Sequence, residues 1–272
     1  MSRRIPVKTA LVGLLMTPAA VAQQTWKSGP DAPVIWQNEV HIWRARLDVP
    51  WSWTFDEALS TLRNSVLMMA GLTERSLERA MKGLFDRDDN LCVVAIADDE
   101  EIDQLEMQVD KDGVAILLRF QPVASDLRRV VSAMKFSTNL ERLGDQATNI
   151  ARRARKLNQH PPLSEVDLIT PMREKAMAMF KDSVDAYVRE DVELARSIGP
   201  CDHALDELNR VVSGKLIQRM AHDRDQLRGY LNLMFVARAL ERVGDHATNI
   251  AEDAVYAASA EDIRHPSLTA SA

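Results

Sequence analysis

The sequence predicts an all-α protein, a tandem repeat of two antiparallel three-helix bundles with six long helices. Three observations carry this. From Thr54 onward apolar residues recur at alternating spacings of four and three, as in Phe55, Leu59, Leu62, Val66 and Met69, which is one stripe on a helix. Residues 140–151 (LERLGDQATNIA) and 240–251 (LERVGDHATNIA) agree at ten of twelve positions without a gap. Ten Gly and eleven Pro among 272 residues are few for a turn-rich β fold, and no period-two strand pattern appears.

The elements follow in order. Residues 1–53 differ from the rest: they hold all five Trp, with six Lys/Arg against three Asp/Glu, a net of +3. The remainder carries 28 against 37, a net of −9. Arg3, Arg4 and Lys8 make a basic start, Thr9 to Ala22 is mostly apolar, and Ala20-Val21-Ala22 is a small-x-small cleavage pattern. Residues 1–22 therefore read as a secretory signal or as a non-native extension from an early start site. The apolar run is too short to span a bilayer. Residues 23–53 lack periodicity, and low order is expected there.

The first helix starts at Thr54 and ends at a polar break, Asp86 to Asn90. A second runs from about Leu91 to Phe120. Pro122 marks the start of a third, which reaches about Gln159. His160-Pro161-Pro162 is a linker, because proline stops a helix and restricts its predecessor. Three further helical stretches are expected at 164–198, 202–222 and 226–258, with breaks at Gly199-Pro200 and at His222 to Asp225. The domain reading is a leader (1–53), a first bundle (54–160), a second bundle (161–260) and a tail (261–272).

Composition excludes several classes. A pI near 5.6 disfavours a generic nucleic-acid binder. Cys92 and Cys201 form no CxxC pair, so they are expected to be packed free thiols rather than a disulfide or zinc framework. No nucleophile–base arrangement, phosphate loop or GxSxG motif occurs.

The chemistry-bearing residues are acids spaced four apart. The second helix of each copy has Asp99/Asp103 or Asp202/Asp206, and the third has Glu141/Asp145 or Glu241/Asp245, with Asn149 and Asn249 one step further. Residues at i and i+4 lie one above the other, so each pair points the same way. Four carboxylates brought together repel unless a cation lies between them, and hard oxygen donors select Mg, Ca, Mn or Fe over thiolate-type zinc or copper sites. The competing reading is a solvated face. Arg142, Arg238 and Arg242 stand three residues from acids, and such surface pairs contribute little. Leu140, Leu143, Ala147 and Ile150 form the buried stripe, so the acids face outward or line a groove edge. Retention of Glu, Asp and Asn in both copies favours the cation. A ferritin-like di-iron centre needs Glu-x-x-His, and no histidine has Glu three residues before it. Gly144 and Gly244 read as close-packing positions. Arg152, Arg153, Arg155 and Lys156 suit a helix C-terminus.

FQPVASDLRRVVSAMKFSTNLERLGDQATNIARRA (120–154) and ARALERVGDHATNIAEDAVY (237–256) closely resemble the PhoU family of accessory regulators of bacterial phosphate-specific transport. The resemblance covers about residues 54–258, and DDEEIDQLE (98–106) fits the family's second helix. It implies tandem three-helix bundles, a cytoplasmic location, a homodimer and no transmembrane span. It also implies metal clusters on the surface, at Asp99/Asp103 with Glu141/Asp145 and at Asp202/Asp206 with Glu241/Asp245. The ions expected are divalent metals or iron (Fe, Mg, Mn or Zn). No catalytic residue and no nucleic-acid partner is expected. The partners implied are the phosphate transporter ATPase and a membrane sensor histidine kinase, and the role is restraint of phosphate uptake and of the phosphate-starvation response. Asn139 and Ala239 stand where the family often has Asp, so no extra ligand is expected there. The alternatives are a metal-dependent enzyme and a secreted helical metal-binding protein.

Overall fold

The computed structural model describes Pro50 and residues 52–264. The expectations for residues 1–49 and for the chain end beyond Arg264 lie outside the described residues. Among the described residues six α-helices follow in order: α1 (Phe55–Phe85), α2 (Asp89–Phe120), α3 (Ala124–Asn158), α4 (Thr170–Arg189), α5 (Val192–His222) and α6 (Leu227–Ser259). No strand occurs among the described residues.

Local chemistry fixes the ends. Thr54 and Glu57 make a reciprocal capping box at the start of α1. Asp88 accepts from the amides of Asn90 and Leu91 to start α2, and Asp191 accepts from Leu194 N to start α5. Gln121 and Glu190 close α2 and α4 in the left-handed region, at φ 48° and 54°.

Two boundaries differ from the sequence reading. The stretch from residue 164 begins as a 3-10 helix, Ser164–Ile169, and the α-helix starts only at Thr170 with Pro171 in its first turn. Gly199-Pro200 is not a break: α5 runs unbroken through Pro200, and the fourth and fifth helices separate at Glu190-Asp191. An interior proline costs a hydrogen bond and a steric clash, about 3 kcal/mol. Burial of Ala195, Ile198 and Leu205 on either side holds the helix together. A Cβ on Gly199 would meet nothing within 4 Å, so this turn faces open space where a bend is tolerated.

Helices α1, α2 and α3 pack on one another, as do α4, α5 and α6. The predicted stripe Leu140, Leu143, Ala147 and Ile150 is fully buried, with Leu62, Val66, Met69, Ile102, Ile116 and Phe136. The repeat is visible in the packing. A Cβ on Gly144 would come within 2.9 Å of Ile102 Cδ1, and one on Gly244 within 2.5 Å of Leu205 Cδ2, so each third helix meets the second at the equivalent glycine.

The bundles join along α3 and α6, which run antiparallel. Arg153 donates to Asn232 Oδ1 (3.3 Å), and the equivalent pair, Asp253 and Ser132, meets through Ser132 Oγ and Asp253 O (3.5 Å). Arg153 also stacks over the Phe235 ring, and at the equivalent positions Lys135 pairs with Asp253 (3.2 Å). The seam thus has an approximate twofold axis with different chemistry at its two ends. Cys92 is buried, Cys201 half-buried, and both are free thiols.

Candidate functional site

The acids lie along the line where the second helix of each bundle meets the third. In the first bundle, α2 carries Asp99 and Asp103 and α3 carries Glu141 and Asp145. The core stripe points their neighbours Ile102, Leu140 and Gly144 inward and leaves the carboxylates at the groove edge. Burial pushes the Asp99 carboxyl up, and the charges of Asp103 and Asp145 add to it, while a nearby Thr148 hydroxyl and Arg152 work against it. Burial, then Asp145, raises Glu141, with Arg142 opposing and Glu106 and Asp103 adding. Each of these groups feels the charge of the facing helix, so the structure does bring the two pairs to one face.

The second bundle repeats the arrangement. Burial, Asp245 and Asp206 raise Asp202; burial, Asp245 and Asp206 raise Glu241, with Arg238 and Arg242 opposing. Asp245 is exposed by area, yet its crowded surroundings desolvate it and Asp206 raises it further. Asp202 Oδ1 lies 3.1 Å from the position a Cβ on Gly244 would take. That glycine therefore keeps open the space into which the carboxylate points.

Both readings of the acids find something in this geometry. Arg142 Nε lies 3.2 Å from Glu141 Oε2 and its Nη1 3.4 Å from Asp145 Oδ2, which is the ordinary ion-pair alternative. Against it, Glu141 Oε2 and Asp202 Oδ1 are buried oxygens with no hydrogen bond, the Arg142 approach to Glu141 being too poorly aligned to make one. Buried carboxylate oxygens without a donor fit a hard cation in chemistry. In position they do not converge: among the described residues no three His, Cys, Asp or Glu side chains are grouped to hold a metal ion. Asn149 and Asn249 are exposed beyond the acids.

Sequence reasoning missed two members of the first face. Glu106 and Asp110 extend the row on α2, and burial with Asp110 and Asp103 raises Glu106. Their counterparts are Asn209 and Ser213, whose side chains bond to each other at 3.4 Å, so a search for acids shared by both copies passes over them. The signal was there in the spacing of Asp99, Asp103, Glu106 and Asp110 along one face. Asn139 Oδ1 accepts from His246 Nδ1 across the seam (3.2 Å), and Asn139 takes no part in the acid groove.

Fold and site together define a class: a duplicated three-helix bundle with an acid-lined groove on the outer face of each copy. The PhoU domain pattern matches twice, at residues 66–154 and 169–254. The phosphate-specific transport system accessory protein PhoU homolog of Pseudomonas aeruginosa is 36% identical over 217 residues, covering 79% of this chain and 89% of that one. The homolog from Clostridium acetobutylicum is 32% identical and spans 74% and 93%. The crystal structure of PhoU from Pseudomonas aeruginosa superposes with a TM-score of 0.75 at 33% identity, covering 76% of this chain and all of that one. The PhoU structure from Streptococcus pneumoniae gives 0.70 at 26%. The chain belongs to the PhoU family.

Proposed function

We propose that this chain is a non-enzymatic regulator of phosphate uptake that restrains transport and the phosphate-starvation response. It acts in the cytoplasm as an adaptor between the phosphate transporter ATPase and a sensor histidine kinase, and it works as a homodimer. The observation that carries this reading is the match of both helical repeats to the PhoU domain, with relatives named as accessory proteins of phosphate-specific transport. No helix among the described residues is long and apolar enough to cross a membrane, consistent with a partner that is recruited rather than embedded.

In this reading the two acid grooves hold cations: Asp99, Asp103, Glu141 and Asp145 in the first copy, and Asp202, Asp206, Glu241 and Asp245 in the second. These carboxylates would hold a divalent or iron ion, whose positive charge would offset their mutual repulsion. The residues themselves would tie the second helix of each bundle to the third, because each set takes one pair from each. Arg142 sits between Glu141 and Asp145 and balances part of their charge. Two cavities, of about 370 and 570 Å³, are lined by α4 with α5 and by the 3-10 helix with α5, and none of the eight groove acids lines either. An enzymatic metal site would need an open coordination position beside a substrate pocket with a general base.

The test is affinity capture from phosphate-replete cells. Recovery of the transporter ATPase or the histidine kinase is expected. Their absence alongside turnover of a substrate by metal-loaded protein would replace the adaptor with an enzyme.

A further inference from the structure

The first bundle carries an acid row running into an exposed apolar end, of which the second reproduces only part of the apolar end, and the cation reading uses only Asp103 of it. Along α2, Asp103, Met107, Asp110, Val114 and Leu118 fall on one stripe, at steps of four, three, four and four. All five are exposed, Met107 at 62% and Leu118 at 53%. The turn into α3 continues the apolar end with Val123 at 74% and Leu127 at 40%. At ~1.5 Å per residue the stripe on α2 is about 22 Å long. It runs from an acid end to an apolar end.

The charge around it is lopsided. The acid end has Asp99, Asp103, Glu106, Asp110, Glu141 and Asp145, and Arg142 and Arg152 oppose the charge on Asp99, Glu106 and Glu141. In the second copy Asn209 and Ser213 replace Glu106 and Asp110, and Arg238, which opposes Glu241, replaces Thr138. Exposed apolar side chains persist in both copies, Ile217 (56%) and Leu227 (40%) standing where the first has Val114 and Leu127, but only the first sets them beside the extra acids Glu106 and Asp110. A solvated face has no need of Met107 and Leu118, and a cation site has no need of Glu106 and Asp110.

We propose that this stripe on α2, with the start of α3, is the docking surface for a basic amphipathic helix of a partner protein. The apolar stripe of the partner would cover Met107, Val114, Leu118 and Val123, and its Lys or Arg residues would lie along Asp103, Glu106 and Asp110. Charge selects this occupant over the others. An isologous contact with a second copy sets the acid row against itself. Anionic lipid headgroups and nucleic acid are repelled by it. A partner helix of about 15 residues matches the length of the stripe. The proposal rests on the adaptor reading and names the chemistry of one partner of that adaptor.

The test uses the full chain and a fluorescent peptide of about 18 residues made of Leu, Lys and Gln, with Leu spaced to form one helical stripe. The controls are a scramble of the same composition and a version with Glu for Lys. Expected are binding at least tenfold tighter than the scramble, no binding of the Glu version, and weakening as salt rises. Hydrogen-exchange protection should fall on residues 103–127 and spare α5. Glu106→Gln with Asp110→Asn should weaken binding about tenfold, and so should Leu118→Asn or Val123→Asn. The double variant touches no proposed cation ligand, so its metal content should equal that of the wild type. Equal binding of the scramble, an unaffected double variant, or protection mapped elsewhere would overturn the docking surface. Self-association of the chain through this stripe would also overturn it. Capture of the transporter ATPase by a chain that fails these peptide tests would leave the adaptor standing and remove only this surface.

Discussion

Glu141 and Asp202 set the behaviour expected at the scale of single residues, because each holds a buried carboxylate oxygen without a hydrogen bond. The Glu141→Gln, Asp145→Asn double change removes charge at nearly constant shape. If the grooves take cations, metal analysis of the purified variant should show loss of the first-copy ion with helicity unchanged. Unchanged stoichiometry would mean that these acids are a solvated face, and the variant would then be stabler by a few tenths of a kcal/mol from relief of like-charge repulsion. The pH dependence has a definite sign. Burial raises the carboxyls of Asp99, Glu141, Asp202, Glu241 and Asp245. A carboxyl raised in the folded state binds its proton more tightly there than in the unfolded chain. Stability therefore increases as pH falls through the folded pKa, and the gain is complete below the unfolded value. In the presence of a chelator, the melting temperature should rise as the pH is lowered from neutral toward the ordinary carboxylate range of about 4. A steady decline over that interval would show that these groups are not strained as carboxylates.

At the scale of the element, Pro200 is the informative residue. It lies inside α5, costing the hydrogen bond that its missing N–H would have made. Pro200→Ala should stabilise the protein by about 1–2 kcal/mol in urea unfolding, the gain being reduced by the greater freedom of the unfolded chain. The expectation of a break at Gly199-Pro200 came from a local rule that tertiary burial of Ile198 and Leu205 overrode. The real boundary was readable another way. Asp191 stands 103 residues after Asp88, the same step that relates Asp202 to Asp99, and both Asp88 and Asp191 cap the second helix of their bundle. The left-handed Glu190 before it carries no glycine signal, so composition alone passes over it. By contrast α3 and α6 were legible almost to their ends. Their buried stripe has a clean 3.6 period, and the duplicated motif places it twice. The acid pairs were legible for the same reason, whereas Glu106 and Asp110 break the repeat, so only the spacing along α2, and not the duplicated pattern, could have found them.

At the scale of the whole molecule, the α3/α6 seam decides whether the two repeats behave as one. Asp253 is 7% exposed, burial raises its carboxyl, and Lys135 opposes that rise from 3.2 Å away. Lys135→Met should leave that carboxylate buried and unpaired. Breaking a fully buried pair costs about 3–5 kcal/mol, and the half-exposed lysine reduces the expected loss to about 1–2 kcal/mol in denaturant unfolding. Phe136 of α3 stacks edge-on against Tyr187 of α4 at 4.4 Å, a second tie between the bundles. With both in place, heat should unfold the helical region in one transition rather than two, and calorimetry resolves that directly.

The approximate twofold of the seam amounts to a recognition code written into the two halves. At matching depths α3 offers Lys135 and Arg153, and α6 offers Phe235 and Asp253. Pairing α3 with a second α3 would set lysine against arginine, and pairing α6 with a second α6 would set phenylalanine against a carboxylate. Only the mixed pairing satisfies both ends at once. A gene split in the linker near Pro161-Pro162 should therefore yield two fragments that seek each other rather than their own kind. Severed from one another, the repeats would behave as a heterodimer that the chain ordinarily holds together by a covalent tether.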